Sequence, residues 1–169
     1  MARIHLIVGP VGSGKSTLAL RLAREHHAIR FNLDEWMTRL FRPDRPESGV
    51  IDWYVERAAR GVEQIWMLTR QLIEHGTDVV LEIGLIRRDQ RELFYSRVDA
   101  EAYELTIYVV DAPRDERRRR VLQRNEERGA TFSVEVPPAF FELASDLWEP
   151  LSEIETDGRD VRFVGERLA

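Results

Sequence analysis

The chain has 169 residues, 43% hydrophobic and 33% charged, which fits a single globular domain over 1–169, and its lack of cysteine excludes disulfides and thiol chemistry. A net charge of -5 argues against a surface devoted to nucleic acid, although it leaves room for a local basic groove. No apolar stretch reaches the length of a membrane span and no signal-peptide layout is present, so we expect a cytoplasmic protein with no membrane segment.

Strand and helix patterns alternate along the whole chain. In order, we predict strands within 1–8 and at 29–33, 79–83, 105–110 and 161–164, and helices at 16–24, 34–41, 52–75, 89–97, 115–127 and 138–148. A polar, proline-interrupted loop at 42–49 separates the second helix from the third. Such alternation is typical of a parallel sheet with helices on both faces.

The segment between the first strand and the first helix carries the clearest motif. It reads Gly9-Pro10-Val11-Gly12-Ser13-Gly14-Lys15-Ser16-Thr17, with the spacing of a phosphate-binding P-loop. Glycines there let backbone N–H groups surround an anion at a helix N-terminus. Lys15 is the single lysine among 25 basic residues, and a compact ammonium fits between two phosphates. We therefore predict nucleotide binding by residues 9–17, with Lys15 on the terminal phosphates and Ser16 on Mg²⁺; the alternative is a glycine-rich turn that matches by chance.

Two carboxylates follow predicted strands, at the edge where open α/β sheets bind ligands. Asp34, just after the second strand, could take a proton from an attacking substrate hydroxyl or could simply cap the next helix, and its position favours neither. Glu82 ends the apolar run 79–81, which resembles a Walker B strand with glutamate in place of aspartate. We predict that Glu82 holds Mg²⁺ through water or orients the substrate; a buried structural ion pair is the alternative.

Six arginines lie on or just after the helix predicted at 115–127. They are Arg117, Arg118, Arg119, Arg120, Arg124 and Arg128. Four of them, Arg117, Arg120, Arg124 and Arg128, recur every three or four residues and would share one helix face. From a lid over about 117–136, this face could clamp phosphates. We predict nucleotide contacts for one or two of Arg120, Arg124 and Arg128. The alternative is a solvated face in which Asp115 pairs with Arg119 and Glu116 with Arg120.

Other polar residues give weaker signals. Arg39, downstream of Asp34, could bind a substrate phosphate or a sugar hydroxyl, but surface solvation is the stronger explanation for most arginines of this kind. The other arginines with this weak signal are Arg42, Arg87, Arg88 and Arg91. His26 and His27 are neighbours at a helix end, whereas His5 and His75 stand alone, so no histidine metal site is predicted.

The segments GPVGSGKST, NLDEW, VVLEIG and QRNEERG together resemble a family of small P-loop kinases. This family includes the kinase domain of phage polynucleotide kinase, chloramphenicol phosphotransferase, the zeta toxins and gluconate kinase, and the resemblance covers residues 1 to about 148. It implies a P-loop NTPase three-layer α/β sandwich, with a five-stranded parallel sheet of the nucleoside monophosphate kinase type and a lid. It also implies ATP and Mg²⁺ as cosubstrates, Asp34 as the hydroxyl-activating base, and Arg124 and Arg128 on the nucleotide phosphates.

These motifs describe the phosphate donor, whereas the acceptor groove, expected at 36–60 and 84–95, carries no motif. The first hypothesis is an ATP-dependent phosphotransferase that moves the γ-phosphoryl group to a hydroxyl of a small molecule. The second is a 5′-hydroxyl nucleic-acid end kinase, against which the acidic balance counts. This chain also has Glu82-Ile83-Gly84 where polynucleotide kinase has an aspartate-led segment. The third hypothesis is a nucleotide-binding ATPase or switch that acts through a protein partner.

Overall fold

A five-stranded, all-parallel sheet forms the centre of the fold. The computed structural model describes residues 2–165. The strands are β1 (Arg3–Val8), β2 (Ile29–Asn32), β3 (Val79–Glu82), β4 (Glu104–Val110) and β5 (Asp160–Val164), in the spatial order β2-β3-β1-β4-β5. The predicted α/β fold with a five-stranded parallel sheet is therefore confirmed, and the strands have bounds close to those predicted.

Helices connect the strands and cover both faces of the sheet. They are α1 (Lys15–Glu25), α2 (Leu33–Trp36), α3 (Val50–Glu74), α4 (Arg88–Ala100), α5 (Arg114–Glu127), α6 (Pro138–Asp146) and α7 (Glu153–Thr156). The helix predicted at 34–41 is confirmed, although its hydrogen bonding changes from α-helical in Leu33–Trp36 to π-helical in Met37–Phe41, and a 3₁₀ turn follows at Arg42–Asp44. No helix within residues 2–165 is long and apolar enough to cross a membrane.

Successive residues of β1 point to opposite faces of the sheet and divide the core in two. On one face, Leu6 packs in a cluster with Ile65 of α3 and Phe94 of α4. On the other face, Ile7 packs in a cluster with Leu22 of α1. Each of these side chains is at most 5% exposed, so truncating any one of them to alanine would cost about 2–5 kcal/mol.

The helices that follow β1 and β3 lie on opposite faces of the sheet. Helix α1, which follows β1, packs on the face that carries Ile7, whereas α4, which follows β3, packs on the face that carries Leu6. Connections that diverge in this way open a crevice at the carboxyl ends of the two strands, and open α/β sheets bind their ligands there. Residues 9–17 and Glu82 both lie at this edge.

Candidate active site

The P-loop, residues 9–17, packs tightly against the end of β4 and against α5. A Cβ atom at Gly9 would lie 2.0 Å from the Val110 carbonyl oxygen, and one at Gly12 would lie 2.7 Å from the Arg117 carbonyl oxygen. Gly12 and Gly14 also have φ angles of 78° and 104°, which residues with side chains rarely adopt. These glycines bring consecutive N–H groups to the N-terminus of α1, where they can surround a phosphate.

Lys15 begins α1, and its ammonium folds back over the loop. Nζ donates to the Gly9 carbonyl oxygen at 2.8 Å and to the Pro10 carbonyl oxygen at 2.7 Å. Burial lowers the pKa of Lys15 to about 8, against the opposing attraction of Asp34 and Glu82. The Lys15 ammonium has lost hydration, and nearby carboxylates only partly balance its charge, so binding a polyphosphate would stabilise it strongly. This environment therefore suits an anionic ligand.

Glu82 ends β3 and is only 6% exposed. Its Oε1 accepts a hydrogen bond from Ser16 Oγ at 2.8 Å, while its Oε2 accepts from Arg30 Nε at 2.7 Å and from Asn32 Nδ2 at 3.1 Å. The carboxylate therefore forms the buried ion pair that was the alternative for Glu82, and it also contacts the P-loop hydroxyl, while its role toward Mg²⁺ stays a prediction. The sequence does not reveal Arg30, since a single arginine in a short strand belongs to no motif.

The Ser16 and Glu82 oxygens suit Mg²⁺, which prefers oxygen ligands and keeps several waters. They lie 2.8 Å apart, so a metal ion bound to the Ser16 hydroxyl would have the Glu82 carboxylate within reach of one of its waters. Because Arg30 and Asn32 occupy the other carboxylate oxygen, a water-mediated role for Glu82 and a direct one for Ser16 fit best. The residues present therefore fit the metal that the sequence predicts.

Asp34 lies on α2 and faces an open cleft beside the P-loop. It is not the cap of α2, because Asn32 takes that role and its Oδ1 accepts from the Glu35 N–H at 3.0 Å. The capping alternative for Asp34 is therefore wrong. Asp34 is exposed, but neighbouring protein groups reduce the hydration of its carboxylate and so raise the pKa of Asp34, while Lys15 and Arg124 oppose this shift.

Tyr54 of α3 reaches the proposed base. Its hydroxyl lies close enough to Asp34 for the two groups to interact, and loss of hydration together with the Asp34 charge raises the pKa of Tyr54. The neutral phenol can therefore act as a hydrogen-bond donor to the carboxylate at physiological pH. Tyr54 falls within the acceptor groove expected at 36–60, but nothing in the sequence distinguishes it from the aromatic residues that pack in the core.

Arg124 of α5 lies near the same cleft. Its charge acts on both Lys15 and Asp34, and burial lowers the pKa of Arg124 while Asp34 opposes that shift. Its Nε is buried and has no hydrogen-bond partner within residues 2–165. A guanidinium with an unused buried donor, close to a phosphate-binding loop, is well placed to receive an anion.

Arg117 and Arg120 of α5 contact the P-loop itself. Arg117 is buried and donates to the Val11 carbonyl oxygen at 3.0 Å, so it supports the loop. Arg117 therefore does not face the phosphate site together with Arg120, Arg124 and Arg128, as the spacing along the helix predicts. Arg120 donates to the Ser13 carbonyl oxygen at 3.4 Å and pairs with Glu116, which is the pair that the four-residue spacing predicts.

The remaining lid arginines make other contacts. Arg128 follows α5 with a φ of 47°, pairs with Glu135 at 3.5 Å and stacks on Phe132. Asp115 pairs with Arg118 at 2.6 Å, so its predicted pairing with Arg119 is wrong.

Two arginines outside α5 have contrasting environments. Arg39 is exposed on the π-helical turn that follows α2. Arg91 is fully buried and donates to both carboxylate oxygens of Glu155, at 2.7 Å and 3.1 Å. Surface solvation is therefore wrong for Arg91, which forms an ion pair between α4 and α7.

The sheet order, the P-loop at the crevice and the carboxylates beside it define a nucleotide-binding fold of the P-loop kinase type. The chain belongs to the AAA domain family, whose model matches residues 4–141. Together with the solved structures described next, this match confirms the predicted resemblance to the small P-loop kinases. Comparison with the curated proteins gives no match.

Solved structures of three other proteins share the fold. Kti12 of Chaetomium thermophilum, in complex with ADP-AlF3, has a TM-score of 0.67 and 15% identity over 95% of this chain and 88% of its own. The APS kinase CysC of Mycobacterium tuberculosis, in complex with AMPPNP and APS, has a TM-score of 0.62 and 17% identity over 95% and 87%. A gluconokinase of Sinorhizobium meliloti has a TM-score of 0.55 and 14% identity over 96% and 81%. At these identities the likeness establishes the fold alone.

Proposed function

We propose that this protein is an ATP-dependent phosphotransferase that moves the γ-phosphoryl group of ATP to a hydroxyl of a small molecule. One observation carries the proposal: the Asp34 carboxylate lies close enough to Lys15 of the P-loop and to Arg124 for their charges to interact. A P-loop alone supports nucleotide binding. A carboxylate beside it that has no capping role supports, in addition, the activation of an attacking hydroxyl.

On the donor side, the P-loop amides and Lys15 would bind the β and γ phosphates, while Ser16 and Glu82 would hold Mg²⁺. Phosphate oxygens in place of the loop carbonyls would compensate the Lys15 ammonium more fully. Mg²⁺, when bound, neutralises charge on the phosphate oxygens. The nucleotides in the Kti12 and APS kinase structures support ATP as the donor. An ATP donor and the absence of cysteine both agree with a cytoplasmic location.

During transfer, Asp34 would accept the proton of the acceptor hydroxyl as its oxygen attacks. Its raised pKa lies nearer to the working pH than that of an ordinary aspartate, which improves proton transfer. Tyr54 would orient the carboxylate by donating a hydrogen bond to it. Arg124 would place its unused donor on the equatorial oxygens of the transferring group. Arg128 could join only after leaving Glu135, so we assign the main charge-stabilising role to Arg124.

A small-molecule acceptor is favoured over a nucleic-acid end. The relatives named as a gluconokinase and as an APS kinase support a small acceptor. The net charge of -5 also disfavours nucleic acid, whose binding draws most of its affinity from basic surface. The acceptor would enter between α2 and the start of α3, where Asp34 and Tyr54 meet.

The test is ATP consumption by wild type, Asp34→Asn and the control Asp44→Asn. Each is assayed alone and with pooled sugars, aminoglycosides, other small hydroxyl metabolites and 5′-hydroxyl oligonucleotides. Asp44 is an exposed carboxylate on the nearby 3₁₀ turn, so its variant controls for the lost charge. We expect acceptor-stimulated turnover that falls by about a hundredfold or more in Asp34→Asn alone, with ATP affinity nearly unchanged.

Two other outcomes would change the conclusion. ATP hydrolysis that is indifferent to every acceptor and to Asp34 would refute the phosphotransferase and favour a nucleotide-binding switch. Stimulation by oligonucleotides alone would replace the small molecule with a nucleic-acid end as the acceptor, and turnover should then fall steeply with salt.

A further inference from the structure

Three potential metal ligands meet at the amino-terminal edge of the sheet, opposite the P-loop. His5 lies on β1, His26 is the C-cap of α1, and Asp78 immediately precedes β3. One ligand atom from each residue lies within 4.8 Å of the others. Helix α1 runs back along the sheet, so its end returns to the edge where the strands begin. The prediction that His5 stands alone is therefore wrong, because its ring centroid is 4.2 Å from that of His26.

Two of these ligands already have the separation that a metal requires. His5 Nε2 lies 3.3 Å from Asp78 Oδ2. Two ligands of a tetrahedral Zn²⁺ ion, each at about 2.0–2.1 Å, are separated by about 3.3 Å. His26 is exposed and stacks on His5, so a rotation of its side chain brings a ring nitrogen toward the pair at little packing cost.

Groups behind the two fixed ligands hold them in orientation. The second ring nitrogen of His5, Nδ1, lies 3.3 Å from the Tyr108 hydroxyl. The second carboxylate oxygen of Asp78, Oδ1, accepts from the Arg3 backbone N–H at 2.9 Å. With a metal on Nε2, Nδ1–H would donate to the Tyr108 hydroxyl and so fix the orientation of the ring.

The electrostatic surroundings favour a cation. Asp78 supplies a carboxylate to the cluster, and Arg3 brings a positive charge near it. Arg3, whose charge acts on His5, is itself paired with Glu104 at 2.9 Å and with Asp160 at 3.1 Å. Its positive charge is therefore compensated within the protein.

We propose that His5, His26 and Asp78 bind one Zn²⁺ ion or a chemically similar borderline cation, with water in the remaining position. Two imidazoles and one carboxylate select such a cation over Mg²⁺ and Ca²⁺, which prefer oxygen ligands. Helix α1, Lys15–Glu25, separates this site from the P-loop by about 16 Å. A metal there would tie the end of α1 to β1 and β3, and so would anchor the helix that carries Lys15.

The test is calorimetric titration of tag-free, nucleotide-free protein with Zn²⁺, supported by absorption spectra of the Co²⁺-loaded protein. We expect one Zn²⁺ per chain, and Co²⁺ bands that Zn²⁺ removes but excess Mg²⁺ does not. His26→Ala and Asp78→Asn should each weaken Zn²⁺ binding by about a hundredfold, and Tyr108→Phe by about tenfold. Zn²⁺ should raise the melting temperature of wild type but not that of His26→Ala.

Two control variants separate this site from other metal binding. His27→Asn removes the neighbouring exposed histidine at a φ of 51°, which asparagine tolerates, and should bind Zn²⁺ like wild type. Lys15→Ala removes the ammonium proposed to bind phosphate, far from the histidines, and should retain the single Zn²⁺. Circular dichroism of each variant confirms that it folds. An absence of Zn²⁺ binding by wild type, or binding that both His26→Ala and Asp78→Asn leave intact, would overturn the proposal and leave a hydrogen-bonded cluster without a metal.

Discussion

Replacing Lys15 with methionine should stabilise the nucleotide-free protein at neutral pH while abolishing nucleotide binding. Burial lowers the pKa of Lys15 from 10.5 to about 8, so keeping this ammonium charged in the folded state at pH 7 costs about 3 kcal/mol. The variant loses the two hydrogen bonds to the Gly9 and Pro10 carbonyls, which offsets about 2 kcal/mol. The net gain in the free energy of unfolding should be about 1 kcal/mol.

The pH dependence of the difference isolates the charge. Below the folded pKa of about 8, Lys15 is protonated in both the folded and the unfolded state, so the penalty is fully present. Between about 8 and 10.5 the unfolded chain holds the extra proton, and wild-type stability therefore rises with pH. At pH 9.5 the remaining penalty is about 1 kcal/mol. The stability of the methionine variant relative to wild type should thus fall by about 2 kcal/mol between pH 7 and pH 9.5.

Urea unfolding of both proteins at several pH values within that interval measures the effect. A variant that is clearly less stable at pH 7, or a difference that does not change with pH, would refute the assignment of a desolvated ammonium at this position. ATP with Mg²⁺ at a hundred times its Kd should reverse the order, because it stabilises only wild type, by about 2.7 kcal/mol.

Other substitutions test the loop, the ion pair and the proposed base. Gly9→Ala should lower the stability measured in thermal melts by about 3 kcal/mol or more, because its Cβ would lie 2.0 Å from a backbone oxygen. Gly76→Ala is the control: Gly76 has a φ of 78° but open space around it, so the loss should be about 1 kcal/mol. Glu82→Gln should lower the free energy of unfolding by about 2 kcal/mol, because it leaves Arg30 without the Glu82 charge. The loss should be smaller than for a fully isolated buried charge, since Arg30 still pairs with Glu35. If the double variant with Arg30→Met lost as much stability as Glu82→Gln alone, the uncompensated Arg30 charge would not be the cause. In the pH profile of acceptor-dependent kcat/KM, activity should be lost on the acid side as pH falls through the raised pKa of Asp34. The apparent pKa of this acid limb should therefore lie above the usual range of an aspartate. An acid limb in the ordinary range would argue against Asp34 as the base.

Features encoded in neighbouring residues could be predicted from the sequence. β1, β3 and β4 each contain a continuous apolar run that is a local signal for a strand, and β2 and β5 are short segments rich in β-branched and aromatic residues. The P-loop is likewise contiguous, and its glycines meet steric demands that the structure shows at Gly9 and Gly12. The fold follows from the order of these elements, since alternating strands and helices leave few parallel arrangements.

Features that depend on which strands become neighbours could not be predicted. Arg30 meets Glu82 because β2 pairs with β3 in a register that sets Asn32 opposite Glu82. His5 meets Asp78 because β1 lies beside β3 in the sheet. Neither contact leaves a trace in the local pattern, because the partners are more than fifty residues apart in sequence. Spacing along one helix also failed to separate Arg124 from Arg128, because the helix ends between them.

The Arg30 contact would let Glu82 keep its structural ion pair while it takes the metal role that we propose. In the nucleotide-free protein Ser16 donates to Glu82, and this bond must be exchanged if the hydroxyl turns to a metal. The other carboxylate oxygen keeps Arg30 and Asn32 as partners throughout that exchange. Glu82 therefore would not have to change its conformation when the nucleotide and metal bind. A carboxylate already fixed by Arg30 and Asn32 would lose little conformational entropy in that step. In the proposed metal site, the buried ion pair would thus keep the metal-facing oxygen of Glu82 in position.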